Sequence, residues 1–412
     1  MSFFLTHPSA PRVGPLGRRS LRWTLVGGVV VVLLAACGDA FTNSPDPGDV
    51  FDGPIDGLTA VELAAFVEGD GQFGRSFAPA DGLGPIFNNV ACAACHSGDG
   101  RGRTENALSR FDGLGGPQLQ DKAIPGAVPE FLPAGAMVSR RLPPPVFGVG
   151  LIEAIPEAAI LALADSLDAD GDGISGRPNW VVPPPWVPAD EPGAAPGQRV
   201  GRFSRKAQVS TLLQQVTEAY HQDMGITSDF LPVENTNPQA SRAVEGADRV
   251  TDPEIGEATI RVVVAYIRGL APPVPGADTP SRQRGRTVFD SIGCARCHVP
   301  VLMTGASSIA ALSDQPVRLY SDLLLHDMGP GLADYRPDGS ASGSEWRTAP
   351  LWGLRLMRRF LNGDAFLLHD GRARSVDEAI LLHGGEAQGA RDRHAALPPA
   401  DRAAILDFVE SR

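Results

Sequence analysis

Cysteine is scarce. The 412 residues hold five, four of them in two short clusters and the fifth near the start, so no pair is left over for a disulfide. An excess of basic charge is also lacking. With 48 acidic residues against 36 Lys and Arg, the formal charge is −12, which argues against nucleic acid as a partner and for a complementary basic patch on a small soluble protein. No alternating strand pattern of useful length occurs. Nor is there a comfortable membrane span: the most apolar run, Trp23 to Leu34, falls short of the roughly 20 residues a spanning helix needs. What the chain does contain is 43% hydrophobic residues, enough for a proper core, over a length that suits two or three compact domains.

The apolar run follows Arg18, Arg19 and Arg22 and ends in Leu34-Ala35-Ala36-Cys37. This order reads as a bacterial lipoprotein signal peptide over 1–36, with Cys37 the lipidated first residue of the mature chain. An ordinary secretory signal with a chance Cys, or an uncleaved anchor helix, fits the same residues. All three put the folded part outside the cytoplasm, and the first gives a protein anchored to a membrane by lipid and facing the periplasm. Loss of 1–36, which contain four Arg and no acid, makes the remainder four charges more acidic. Residues 37–59, with Asp46-Pro47-Gly48-Asp49, have the composition of a flexible tether.

The two clusters are Cys92-Ala93-Ala94-Cys95-His96 and Cys294-Ala295-Arg296-Cys297-His298. C-x-x-C-H is the attachment signature of c-type haem. Thiols at i and i+3 share one face of a helical turn, where they reach the two vinyl groups of a porphyrin. The His that follows lies beneath the ring as the proximal iron ligand. A redox dithiol or a zinc half-site is the competing reading, and it would want a thioredoxin-like context or a second ligand pair. The expected cofactors are therefore two covalently bound haem c groups, held by Cys92, Cys95 and His96 and by Cys294, Cys297 and His298. Around them runs an internal echo: Gly84-x-x-Phe87 before the first pentad and Gly285-x-x-x-Phe289 before the second, the Phe five residues ahead of Cys in both. Apolar spacing at Ile260, Val263, Val264 and Ile267, and again at Ile405, Phe408 and Val409, marks a closing helix for each half. The fold expected is mainly α, with two cytochrome c-like haem domains, 60–275 and 276–412. The first carries a large loop-rich insertion. Three Pro-rich runs, at 142–145, 182–185 and 271–273, are expected to be loops or boundaries.

Within the insertion, Asp168-x-Asp170-x-Asp172-Gly173-Ile174 matches the opening of an EF-hand loop, with Ile174 offering its carbonyl. Position 12 is Asn179 rather than Glu, so calcium is expected to bind with fewer charges. A plain Asp/Gly turn is the alternative. Glu153, in an apolar stretch able to raise its pKa, is a candidate acid.

Several longer phrases resemble the bacterial dihaem oxidoreductases, relatives of dihaem cytochrome c peroxidases and of the methylamine-utilisation dihaem maturase. They are 145–156 (PVFGVGLIEAIP), 170–177 (DGDGISGR), 223–228 (DMGITS), and His369-Asp370-Gly371-Arg372-Ala373 followed by Glu378-Ala379-Ile380. The resemblance implies peroxide reduction, or oxidation of another substrate, with electrons from a periplasmic donor such as a small cytochrome c or a cupredoxin. It implies His383 as sixth ligand of a low-spin second haem, with His326 and His369 as competitors and Met328 as packing. It implies a first haem open to substrate, with Gln215 orienting peroxide and Asp223 moving a proton, Glu153 being the rival acid; His221 could instead close that iron. Where the resembled enzymes carry a relay Trp between the haems, this chain has Arg205, leaving direct transfer or another aromatic such as Trp180. A non-catalytic dihaem electron-transfer cytochrome is the alternative function.

Overall fold

Polar residues placed just ahead of apolar periodicity start the principal helices. The computed structural model describes residues 47–111, 117–240 and 247–412; the leader and Cys37 lie outside the described residues. Thr59 caps α1 (Ala60–Gly74), its hydroxyl accepting from the Glu62 N–H at 3.3 Å while the Glu62 carboxylate accepts from the Thr59 N–H at 2.7 Å. Gly148 precedes the short α2 (Val149–Ala154). Thr211 caps α3 (Leu212–Asp223) through the Gln214 N–H at 3.0 Å. After α4 (Glu257–Gly269), Thr279 with Pro280 opens α5 (Pro280–Ser291). Ser375 caps α6 (Val376–Leu382), and α7 (Pro399–Glu410) ends the chain's helical run.

The protein is mainly helical with a few short strands. The strands form antiparallel two-stranded ladders of two or three residues, such as Leu325–Asp327 against Glu345–Arg347. They are too short to produce the alternation sought in the sequence. All three Pro-rich runs are irregular.

Two helix pairs set the scaffold: α1 packs on α4 and α5 packs on α7. Each pair crosses at a glycine. A Cβ on Gly69 would drive into the Val262 carbonyl oxygen, and one on Gly285 into that of Ala404. Four residues on, Phe73 sits with its ring 6.0 Å from His96 and Phe289 with its ring 6.3 Å from His298. The structural echo is therefore Gly69-x-x-x-Phe73 with Gly285-x-x-x-Phe289, and Gly84 and Phe87 belong elsewhere. Phe87 lies in a short strand paired with Lys122–Ala123. Each pair has its own apolar core: Phe147, Leu151, Ile152, Leu213, Tyr220, Ile260 and Val264 belong to the larger, and Val288, Phe289, Tyr320, Val376, Ile405 and Phe408 to the smaller. Residues 47–412 nonetheless pack as one compact unit, with the helix-free stretch 271–279 joining α4 to α5.

The crossing contact gives a clean prediction within one helix. Gly69→Ala is expected to destabilise by about 1–3 kcal/mol through overpacking. Gly71→Ala, with open space around its Cα, is expected to stabilise by up to about 1 kcal/mol through helix propensity. Urea unfolding of the two variants checks both signs.

Candidate functional site

Both pentads fold into one tight turn, Cys92–Cys95 as a single α-turn and Cys294–Arg296 as a 3₁₀ turn. In each, the His N–H donates to the carbonyl of the first Cys at 2.9 Å. Two thiols and one imidazole thus come from a single turn. All four cysteines are free. Burial pushes Cys92 and Cys294 up to about 12 and Cys95 up to about 11, so these three are protonated thiols, unlike the low-pKa thiols of redox dithiols.

The second pentad opens into a cavity of about 890 Å³. His298 Nδ1 donates to the Tyr320 carbonyl at 2.9 Å and His383 Nδ1 to the Ala379 carbonyl at 2.6 Å. Each ring is held in the tautomer that leaves Nε2 free as a metal ligand. Burial lowers the pKa of both, that of His298 to about 4, with His383 among the neighbours that depress it further. Both imidazoles are therefore neutral, the form that coordinates iron. His383 follows directly on α6, whose Val376, Ala379 and Ile380 also line the cavity.

The competing histidines have other partners. His326 is buried between Asp322, 2.8 Å from Nε2, and Glu386, 2.7 Å from Nδ1. Burial opposes its charge, yet hydrogen bonds with Asp322, Cys297 and Glu386 hold it protonated to about 12. Its ligand group converges with those of Cys297 and Asp322, but with both ring nitrogens engaged it has none to offer a metal. His369 stacks flat on Trp346, ring centroids 3.7 Å apart. Met328 is a further lining residue.

The first pentad faces a smaller cavity of about 200 Å³. Burial lowers His96 to about 4, opposed by the Pro144 carbonyl. Among the described residues, no other histidine lines this cavity. His221 lies outside it, Nε2 donating to the Val233 carbonyl at 2.8 Å. Along one wall runs α3, placing Gln215, Glu218 and Asp223 at the cavity, with Gln118, Gln208 and Met224 nearby. Gln215 Oε1 accepts from the Ser204 hydroxyl at 2.9 Å. Burial pushes Asp223 up to about 6 against a hydrogen bond from the Gln118 amide, with Glu218 adding repulsion. Glu218 is also raised by burial and accepts from Gln214 Nε2 at 2.7 Å. Glu218 had not been singled out in the sequence, although its place three residues after Gln215 puts it on the same helix face.

Glu153 is placed differently from expectation. Its carboxylate accepts from Arg268 Nε at 2.5 Å and from the Leu212 N–H at 2.9 Å, pinning α2 to α4 and capping α3, and it lines neither cavity. Trp180 is more than one-third exposed and lines neither cavity. Arg205 and Arg347 line both, together with Leu142, Pro144 and Val149.

The Asp-rich loop closes on itself. Asp168 accepts from the Gly173 N–H at 3.0 Å, Asp170 from the Asp172 N–H at 3.1 Å, and Asp172 from the Ile174 N–H at 2.9 Å. Asp172 also pairs with Arg296 of the second pentad. The carboxylates that converge within 4.8 Å are those of Asp165, Asp168 and Asp170, so a calcium ion there would be bound by a set shifted by one turn from the EF-hand pattern. On that arrangement, calcium is expected to raise the melting temperature of the protein, Asp168→Ala to abolish the rise, and Asp172→Ala to leave it. Melting curves with calcium and with chelator decide it.

The family pattern described as "Di-haem oxidoreductase, putative peroxidase" matches residues 35–112 and 130–412. Among solved structures, the chain is similar to hydrazine synthase of Kuenenia stuttgartiensis at 13% identity and TM-score 0.42, with 100% of this chain and 99% of that chain covered. It is also similar to a MauG-like protein associated with microbial copper homeostasis, at 15% identity and TM-score 0.30, with 65% of this chain and 88% of that chain covered. No curated protein matches.

Proposed function

Since the chain belongs to the di-haem oxidoreductases, a family that implies two haem groups, we propose that both are covalent c-type haems, one on each pentad in its own cytochrome c-like half, and that the enzyme reduces hydrogen peroxide. The observation that carries this reading is the unlike lining of the two cavities. One sets a second neutral imidazole, His383, in the same cavity as the proximal His298, with Val376, Ala379 and Ile380 among the walls; the other, among the described residues, has no second histidine but carries two carboxyls and glutamines. Bound at the first pentad, haem would supply the iron at which the O–O bond is cleaved and the electrons for it.

The remaining work falls to the protein. His96 and His298 offer neutral proximal nitrogens, and His383 would seal the second iron for conduction. Gln118 donates to one Asp223 oxygen, which leaves the other to hold a proton. With Glu218 adding to the repulsion, Asp223 holds its proton up to about pH 6, where it can deliver that proton to a departing oxygen. Gln215 would orient peroxide beside them. Electrons would enter at the second haem from a periplasmic small cytochrome c or cupredoxin, whose basic patch suits the chain's formal charge of −12. Export and lipid attachment through Cys37 complete the reading, tethering the enzyme to the cell envelope.

Met224 favours a second reading. Its sulfur is buried in the first cavity's wall, and a thioether bound there would close the first iron and make the protein an electron carrier. Steady-state peroxide turnover with a reduced cytochrome as donor separates the two. Sustained turnover supports the enzyme, and its absence in fully loaded protein supports the carrier.

A further inference from the structure

The walls of the two cavities carry a cluster of guanidinium groups. Arg205 and Arg347 line both cavities, Arg101 lines the larger and Arg110 the smaller. None of these four pairs with a carboxylate among the described residues. Arg205 donates only to main-chain carbonyls, from Nε to Leu142 at 3.0 Å and from Nη2 to Pro143 at 3.2 Å. Arg347 does the same, to Ser204 at 3.2 Å and Thr348 at 3.3 Å. Arg101 Nη1 and Arg110 Nε are buried without a hydrogen-bond partner. Burial lowers Arg101 and Arg205 to about 9 and Arg110 and Arg347 to about 10, and Arg205 is depressed further by Arg347, Arg101 and Arg141. Guanidinium groups keep their charge under such conditions. Clustered and desolvated, with carboxylates such as Asp223, Asp322, Asp338 and Asp370 nearby but none in ion-pair contact, they are costly unless an anion comes into contact.

Resting on the dihaem reading, we infer that this cluster is a carboxylate-binding belt for the propionates of both porphyrins, and that Arg205, reaching both cavities, bridges a propionate of one haem to a propionate of the other. The planar fork of Arg suits carboxylate oxygens from two directions. A residue that cannot be oxidised would then serve the haem pair by fixing the edges that face each other and by placing a positive charge beside both.

Ferrous haem carries one more negative charge than ferric, so a nearby cation favours reduction. Spectroelectrochemical titration of Arg205→Gln is therefore expected to show both midpoint potentials lowered. Arg205→Lys, which keeps the charge, is expected to recover most of the shift, and Arg261→Gln, at an exposed pair with Glu257, to leave both potentials in place. Should Arg205→Gln fail to load haem, Arg347→Gln carries the same expectation. Potentials unmoved, or only one moved, would overturn the bridge. Wild-type potentials that respond to added phosphate would overturn it too, by assigning the belt to a solvent anion. A pyridine haemochrome count on the same samples keeps the tests apart: fewer than two haems per wild-type chain would sink the dihaem reading itself.

Discussion

In His383→Ala, the second haem is expected to change from low-spin to high-spin and to begin binding added imidazole, which returns it to low-spin. The expectation rests on how the cavity holds its two histidines. His383 and His298 enter one cavity, each with Nδ1 committed to a carbonyl and Nε2 left over. Both are neutral because burial disfavours the imidazolium. Removing His383 leaves no equivalent nitrogen, since His326 is locked between Asp322 and Glu386 and His369 lies flat against Trp346. Resonance Raman spin-state markers of the ferric protein give the readout. An unaltered spectrum would move the ligation to Met328 or His369.

The second large effect is on turnover. Replacing both acids of the first cavity, as Asp223→Asn with Glu218→Gln, is expected to lower peroxide kcat/KM by roughly 10²–10⁴, the usual loss for a general acid. Each single variant should cost less than half of this on a logarithmic scale if the partner can take over the proton. Asp223 has its pKa raised to about 6, so the protonated fraction falls as pH rises through that value. The kcat/KM of the wild type is accordingly expected to decline above about pH 6, and the decline to be lost in Asp223→Asn. A pH profile identical in wild type and both single variants would remove these acids from the chemistry.

How much of this was legible beforehand depends on the sequence separation of the parts. The pentads, the capping threonines and the closing helices are local patterns, and each can be read without knowing the fold. Glu153 looks like a candidate acid in its own stretch; the Arg268 that neutralises it lies 115 residues away. His326 looks like a free ligand until Glu386, 60 residues on, takes its second nitrogen. The first half's helix-crossing motif was hidden for a related reason. Gly285-x-x-x-Phe289 stands directly before its cysteines, whereas Gly69-x-x-x-Phe73 is separated from Cys92 by a connection that includes a short strand. A search at fixed distance from the cysteines therefore finds Phe87 instead. Glu218 needed only the helical period of α3 once Gln215 was under consideration.

The central claim is that one iron is sealed and the other is open. Low-temperature EPR of the fully ferric, fully loaded protein tests it most directly. One low-spin signal, from the haem on His298, and one high-spin signal, from the haem on His96, are expected. Two low-spin signals that persist after one-electron reduction would contradict it and leave Met224 as the residue that closes the first site.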